Sequence, residues 1–228
     1  MHMDEKRKKR PEEPIAVLCY GDSNTYGYDP RTDGERYPSR VCWTTILAEM
    51  LGSDYKIIPE GLSGRTTAYD RIDAPWKNGL PYLTPCLATH KPVDYLTIML
   101  GTNDCNVEMG LSAEDIAAGM EQLVATAETV TLTEQGYVPR IVVIVPAAIR
   151  PEIEGTTFDY QLDETSVEKS RAIAPLYRDI ARRHGCLFLD ASAVETSPID
   201  CEHLTEQGHT QMAQLLFDLL QKDQEALS

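Results

Sequence analysis

The sequence predicts an α/β protein built on a parallel β-sheet with helices on both of its faces. Five short runs are rich in β-branched residues and almost continuously apolar, with few polar residues between the apolar ones. Such runs are typical of parallel strands buried on both sides. Longer segments with apolar residues at helical spacing lie between them, so strands and helices alternate along the chain. Because no repeat or linker interrupts this pattern, residues 13–228 are expected to form one domain, after a loose polar tail at residues 1–12.

The strand segments are short, and each is followed by residues that suit a loop. They are IAVLCY (15–20), YKIIPE (55–60), VDYLTIML (93–100), RIVVIVPA (140–147) and CLFLD (186–190). In open parallel sheets, ligands bind beyond the carboxyl ends of the strands. The segments that directly follow the strands are therefore the first candidates for a functional site.

Five helices are expected, and end signals support several of their bounds. They cover residues 41–51, about 80–90, 112–130, 164–185 and 205–222. Ser112 is placed to cap the third helix, and Gly52 and Gly185 are placed to end the first and the fourth. Pro175 lies inside the fourth helix and is expected to kink or divide it, because proline has no amide hydrogen to donate.

The composition disfavours two classes of partner. Of the 228 residues, 42% are hydrophobic and 25% are charged, which is typical of a soluble globular protein. A formal net charge of -15 repels nucleic acid and anionic lipid surfaces, so neither nucleic acid nor membrane is expected as a partner. The polar start lacks the apolar stretch of a secretory signal, which favours a cytoplasmic location.

The cysteines fit the same location. None of the six forms a C-x-x-C pair, so reduced side chains in the core are favoured over disulfides or a zinc site. They are Cys19, Cys42, Cys86, Cys105, Cys186 and Cys201.

A serine, an acid and a histidine occupy strand-end segments in a pattern that suits nucleophilic catalysis. Ser23 follows the first strand in GDSNT, and a hydroxyl needs a neighbouring base to attack a carbonyl at neutral pH. His203, in DCEH before the last helix, is the histidine with an acid close by in such a loop. Asp200 stands three residues earlier, where it can hold one ring nitrogen while the other faces Ser23.

Candidate hydrogen-bond donors for a developing oxyanion follow three different strands. Gly64 in GLSGRTT offers a backbone N–H without a side chain in the way, and Asn103 in GTND offers an amide. Ser23 can donate its own N–H at the start of the following helical turn. The neighbouring acids, Asp22 and Asp104, are expected to bond nearby backbone N–H groups.

The four segments GDSNT, GLSGRTT, GTND and DCEH resemble, in the same order, the four blocks of the SGNH, or GDSL-type, serine hydrolases. The stretches EGLSGRTT and LTPCLATHKPVDYLTIMLGTND are most similar to the arylesterase and acyltransferase branch, which cleaves short-chain esters. The resemblance implies a flavodoxin-like, three-layer α/β/α fold with a five-stranded sheet in the order 2-1-3-4-5.

The same resemblance implies roles for individual residues. Ser23 corresponds to the nucleophile, His203 to the base and Asp200 to the orienting acid. Ser23, Gly64 and Asn103 correspond to the oxyanion donors. The resemblance also implies a small-molecule ester as substrate, no metal or organic cofactor, and a homo-oligomer.

Two positions depart from the pattern of that branch. Asn24 stands where Leu or Ile is common, and Glu202 stands between acid and histidine where an apolar residue is frequent. Both put polar atoms beside the expected pocket, which favours a sugar acetate or another hydroxylated ester. Tyr26 and Tyr28 lie close to Ser23 in the sequence, so all four residues are predicted to contact the substrate.

The favoured function is a serine esterase that acts on short acyl esters through an acyl-enzyme, with acyl transfer to another nucleophile left open. Two alternatives stand beside it. A protein of the same fold could bind a carbohydrate or an ester without catalysis, although such a protein has no use for an acid-oriented histidine. A metal-dependent phosphoesterase could use Asp22, Asp104 and Asp200, because divalent cations favour carboxylate oxygens.

Overall fold

The computed structural model describes residues 13–32 and 34–227, and its centre is a five-stranded parallel sheet. The strands are β1 (Ile15–Gly21), β2 (Tyr55–Gly61), β3 (Tyr95–Met99), β4 (Arg140–Val145) and β5 (Leu187–Asp190). Their order in the sheet is β2-β1-β3-β4-β5, and every neighbouring pair is parallel. The predicted fold class, strands and strand order are confirmed, whereas the predicted tail at 1–12 lies outside the described residues.

The α-helices follow the expected alternation with the strands. They are α1 (Ser23–Tyr26), α2 (Trp43–Leu51), α3 (Gly79–His90), α4 (Ala113–Gln135), α5 (Glu164–His184) and α6 (Glu206–Leu227). Ser112 caps α4 in a reciprocal pair with Asp115, and Gly52 and Gly185 end α2 and α5, as predicted. Within the described part of the chain, no helix has the length and apolar character needed to cross a membrane.

Of the kink or division expected at Pro175, the structure excludes the division. The helix continues from Glu164 to His184 with Pro175 inside it. Ile173 and Tyr177, on either side of the proline, are fully buried against the core. Tertiary packing therefore holds the helix together across the one amide that cannot donate a hydrogen bond.

Successive strand residues point into two separate apolar cores, one on each face of the sheet. Leu18 and Tyr20 belong to the core on the side of α3, α4 and α5, whereas Val17 and Cys19 belong to the core beneath α2 and α6. Because helices cover both faces, the central strands are buried on both sides, which explains their nearly continuous apolar character.

The end of β2 packs closely against the short helix that follows β1. Gly21 and Gly61 are paired in the register of these two strands. A side chain at Gly61 would overlap the backbone nitrogen of Tyr26, so only glycine permits this contact. The segment after β2 is thereby held beside the turn that carries Ser23.

Candidate active site

Ser23 is the first residue of α1, directly beyond the carboxyl end of β1. The preceding Asp22 caps the helix, because its Oδ1 accepts a hydrogen bond from the backbone N–H of Asn24 at 2.9 Å. The serine side chain is largely buried, with 5% of its surface exposed. The turn from strand to helix thus holds this hydroxyl at the edge of the sheet where ligands bind in such folds.

His203 links Ser23 to Asp200. Its Nε2 lies 2.8 Å from Ser23 Oγ, and its Nδ1 lies 2.8 Å from Asp200 Oδ2. The other oxygen of Asp200 accepts the backbone N–H of His203 at 3.1 Å, so the three-residue spacing lets one carboxylate hold both ring and backbone. Because a carboxylate accepts but does not donate, Nδ1 carries a proton and Nε2 of the neutral ring is free to accept one from Ser23.

Negative charge around His203 favours its protonated form. Burial by itself lowers the pKa of His203, but the hydrogen bond that the ring donates to Asp200 and the negative charges of Glu202, Asp200 and Asp22 outweigh it, so the pKa lies above its ordinary value. Burial also raises the pKa of Glu202 to about 7, against an opposing contribution from His203. The imidazole is therefore a stronger base than a free histidine side chain.

Hydrogen bonds made by Asn103 and Arg65 connect the segments that carry the candidate oxyanion donors. Gly64 has a φ of 82°, a left-handed conformation that suits glycine. The amide nitrogen of Asn103 donates to the carbonyl of Arg65 at 3.0 Å. Arg65 in turn donates to the carbonyls of Gly21, at 2.8 Å, and Glu60. One buried guanidinium thus connects the loops after β1 and β2.

Arg65 was not predicted as part of the site. Its guanidinium lies 4.1 Å from the ring centroid of Tyr20, which keeps a charged group in a buried position by stacking and by hydrogen bonds to carbonyls. The available signal was a single cation inside the glycine-bearing stretch GLSGRTT.

Asp22 and Asp104 bond backbone N–H groups, in agreement with the expectation for both. Asp104 accepts the backbone N–H of Thr67 at 3.0 Å and its hydroxyl at 2.6 Å, which fixes the segment after β3 to the segment after β2. Burial raises the pKa of each carboxyl to about 6.

An aromatic wall flanks His203, and its main member was also not predicted. The Phe158 ring lies 5.8 Å from the His203 ring, 6.4 Å from Tyr28 and 6.5 Å from Tyr160, between ring centroids. Phe158 belongs to the segment between β4 and α5, where the signal was the length of the loop. Cys201 connects this segment to the loop that carries His203: its Sγ donates to the carbonyl of Glu152 at 3.2 Å, and its own carbonyl accepts the backbone N–H of Arg150.

Comparisons with known proteins identify the family of this chain. A family model described as the GDSL-like Lipase/Acylhydrolase family matches residues 19–211, a range that contains Ser23, His203 and all four sequence blocks. The chain belongs to this family. A search of curated proteins gives no significant match.

Solved structures extend the comparison of this GDSL-family chain. The native aryl esterase of M. smegmatis is 35% identical, with a TM-score of 0.84 over 91% of this chain and 99% of that chain. Est24, a carbohydrate acetylesterase from Sinorhizobium meliloti, is 32% identical, with a TM-score of 0.85 over 91% and 99%. A lipolytic protein of the G-D-S-L family from Veillonella parvula, at 16% identity and a TM-score of 0.65, shares the fold.

The predicted substrate contacts of this GDSL-family chain lie in different surroundings. Tyr28 stacks on the His203 ring with centroids 4.0 Å apart, and the half-buried Glu202 is next to His203 in the chain. Tyr26 lies instead under the guanidinium of Arg36, which is 3.9 Å from its ring centroid. Asn24 is 3% exposed, so its side chain is enclosed by the protein.

Both ends of the Asn24 amide bond to the loop that carries His203. Its Nδ2 donates to the carbonyl of Glu202 at 3.1 Å, and its Oδ1 accepts the N–H of Leu204 at 2.9 Å. These bonds bracket His203 on both sides. Asn24 therefore joins the turn that carries Ser23 to the loop that carries His203.

Replacing Asn24 tests this positioning role. We expect Asn24→Ala to lower the free energy of unfolding by about 1–3 kcal/mol, because two buried hydrogen bonds are lost. We also expect kcat for p-nitrophenyl acetate to fall by roughly 10- to 100-fold, with a smaller change in KM, because His203 is less well held. Denaturant unfolding and steady-state kinetics measure both effects.

The matched control is Gln135→Ala. That amide also bonds the backbone on both of its ends, to Val93 through its oxygen and its nitrogen and to the carbonyl of Tyr137 through its nitrogen, but it lies at the amino end of β3. It should lower stability and leave kcat unchanged. An Asn24→Ala variant with normal kcat and a raised KM would instead identify Asn24 as a substrate contact.

Proposed function

We propose that this chain is a serine carboxylic ester hydrolase that cleaves short acyl esters through an acyl-enzyme on Ser23. The observation that carries the proposal is the continuous chain of contacts from Asp200 through His203 to Ser23, with both hydrogen bonds at 2.8 Å. Membership of the GDSL-like lipase/acylhydrolase family and the similarity to solved esterases support it.

The first half of the reaction forms the acyl-enzyme. Ser23 Oγ attacks the ester carbonyl carbon while its proton passes to His203 Nε2, and Asp200 stabilises the resulting imidazolium. The carbonyl oxygen becomes an oxyanion, for which the backbone N–H groups of Ser23 and Gly64 are the proposed donors. Asn103 adds a third, because its amide has two hydrogens and the bond to Arg65 uses one of them.

The second half releases the acyl group. The bond to the alcohol breaks, and His203 returns its proton to the departing oxygen. A water molecule, deprotonated by the same histidine, then attacks the acyl carbon and restores Ser23. An alcohol in place of that water completes an acyl transfer by the same steps, so we propose acyltransferase activity as a secondary property.

The surroundings of His203 favour an ester of a ring-shaped, hydroxylated alcohol. Tyr28 and Phe158 offer flat apolar surface beside the imidazole, and Tyr160 next to them is 64% exposed. The Glu202 carboxylate can accept hydrogen bonds from hydroxyl groups. We therefore propose sugar acetates as the preferred class, with aryl and alkyl acetates as further substrates.

We further propose that residues 13–228 act as one catalytic domain of a cytoplasmic homo-oligomer that needs no cofactor. All six cysteines are free thiols, which suits a reducing compartment. Ile72 and Trp76 are 96% and 66% exposed on the loop between β2 and α3, and apolar side chains so exposed suit a subunit contact.

Two other functions are less well supported. A binding protein does not need a histidine held between an acid and a serine hydroxyl. A metal-dependent phosphoesterase needs carboxylates that converge on one ion, but the oxygens of Asp22, Asp104 and Asp200 do not form a group within 4.8 Å of one another. Instead, Asp104 bonds Thr67 and Asp200 bonds His203.

Removing the nucleophile is the direct test. We expect Ser23→Ala to lower kcat for p-nitrophenyl acetate by at least ~10³-fold while circular dichroism shows a folded protein, because no other group can form the acyl-enzyme. A fluorophosphonate probe should label Ser23 in the parent and nothing in the variant. Residual activity within tenfold of the parent, or labelling at a serine other than Ser23, would reject the assignment. Hydrolysis of p-nitrophenyl phosphate that EDTA abolishes would favour the phosphoesterase.

The role of Asn103 in oxyanion binding has its own test. We expect Asn103→Ala to lower kcat by about 10²–10³-fold with little change in KM, since the donor acts mainly in the transition state. Asn106→Ala is the matched control, because that buried amide bonds Gln161 and Glu108 in the same region. Equal kcat losses in the two variants would assign the effect to disturbed structure.

The charge of Glu202 predicts a change in pH dependence. Catalysis needs neutral His203, whose pKa is raised in part by Glu202, so the activity of the parent should decline as pH falls through that raised value. Glu202→Gln removes the negative charge and lowers the pKa of His203. The acidic limb of kcat/KM should therefore move to lower pH, as measured with p-nitrophenyl acetate.

Glu152→Gln is the control for that measurement, since Glu152 is an exposed glutamate paired with Arg150 on the neighbouring segment. It should leave the acidic limb in place. An unmoved limb in Glu202→Gln would show that Glu202 does not act on His203. With the same variant, KM should rise more for an acetylated sugar than for p-nitrophenyl acetate.

A further inference from the structure

A second group of reactive side chains lies where β2 packs against α3, next to the segment that carries Gly64. It has no part in the proposed esterase reaction. It consists of Glu60 near the end of β2 and of Cys86 and His90 on α3. One ligand atom from each of the three lies within 4.8 Å of the other two. Among the residues that the structure describes, no other group of three histidine, cysteine or acidic side chains brings its ligand atoms this close together.

The helix brings two of these residues together. Cys86 and His90 are four positions apart, so they lie on one face of α3. The third, Glu60, reaches this face from β2, and its Oε1 lies 2.6 Å from His90 Nε2. Tyr82, one turn earlier on the helix, donates to the other oxygen of Glu60 at 3.2 Å. The absence of a C-x-x-C pair argued against zinc, but a C-x-x-x-H pair on a helix has ligand spacing of its own.

We propose that Glu60, Cys86 and His90 bind a Zn²⁺ ion, with water as the fourth ligand. A thiolate, an imidazole and a carboxylate form a donor set that zinc takes, whereas Mg²⁺ and Ca²⁺ require oxygen ligands. The two anionic groups balance the charge of the ion. Zinc bonds of about 2.0–2.3 Å place tetrahedral ligands roughly 3.3–3.8 Å apart. Glu60 Oε1 and His90 Nε2 lie 2.6 Å apart, so an ion between them must separate these two atoms and break their direct hydrogen bond.

The surroundings set the cost of binding. Cys86 is 2% exposed, and burial raises the pKa of its thiol to about 12, so the metal must displace that proton. The guanidinium of Arg65 lies 5.3 Å from the Tyr82 ring centroid and adds a positive charge nearby. His90 and Glu60 are 29% and 18% exposed, so an ion can enter from their side.

Such an ion would have a structural effect on the esterase site. Glu60 directly precedes the segment from Gly61 to Arg65 that supplies the proposed oxyanion donor, and its carbonyl accepts a hydrogen bond from Arg65. A metal would tie this segment to α3. Zinc should therefore raise the melting temperature, because it binds the folded chain only.

Cobalt titration of the full-length protein, purified without a histidine tag and stripped with EDTA, tests the proposal. Binding of one Co²⁺ through Cys86 should produce a thiolate-to-cobalt charge-transfer band, and one equivalent of Zn²⁺ should abolish it. Cys86→Ser should remove the band. His90→Gln, at a half-exposed position where misfolding is not expected, should weaken Co²⁺ affinity by more than the roughly 10- to 100-fold typical of outer-shell changes.

Cys186→Ser is the matched control. Cys186 also has a histidine and a glutamate near it, His184 and Glu128, but these three do not converge within the same limit. The control should keep the band and the affinity. No charge-transfer band at one equivalent, or a band that survives in Cys86→Ser, would overturn the proposal and leave Glu60 and His90 as an ion pair. Ser23 activity is a separate readout, so either result leaves the esterase proposal untouched.

Discussion

The hydrogen bond between His203 Nε2 and Ser23 Oγ joins residues 180 positions apart, and the rest of the site is arranged around it. The bond requires the loops after β1 and before α6 to meet within hydrogen-bond distance. Asp200 holds the imidazole from one side, and Asn24 fixes the backbone on both sides of it. Two local turns therefore become one reactive unit through a small number of buried polar contacts.

Buried charge is the main electrostatic feature around this bond. Asp22 and Asp104 are fully buried carboxyls and Glu202 is half-buried, and burial raises the pKa of each of the three. The charges of Glu202 and Asp22, together with the hydrogen bond to Asp200, favour a protonated His203. Arg65 is a buried cation close by, and its guanidinium donates hydrogen bonds to carbonyls at the ends of β1 and β2. Acidic groups thus raise the pKa of His203, while one cation bonds the backbone of two strand ends.

Local sequence patterns predicted most of the fold because their physical causes are local. Strands buried on both faces require nearly continuous apolar runs, and helix ends require specific residues such as Ser112 and Gly185. The helix is not divided at Pro175, because Ile173 and Tyr177 on either side of it are buried in the core. Packing of that kind involves residues distant in sequence, which a local signal does not report.

The sequence alone determined that the chain forms a parallel sheet and which loops hold Ser23, Asp200 and His203. The order of the strands followed from the family resemblance. Motif spacing and order suffice for this, since the carboxyl ends of parallel strands share one edge. Only the tertiary structure decided where each neighbouring side chain points. In the structure, the Asn24 side chain points into the protein interior and Tyr26 lies under Arg36. Phe158 lies beside His203, and Arg65 lies beside Asn103. The reason is that side-chain direction depends on contacts between segments far apart in the chain.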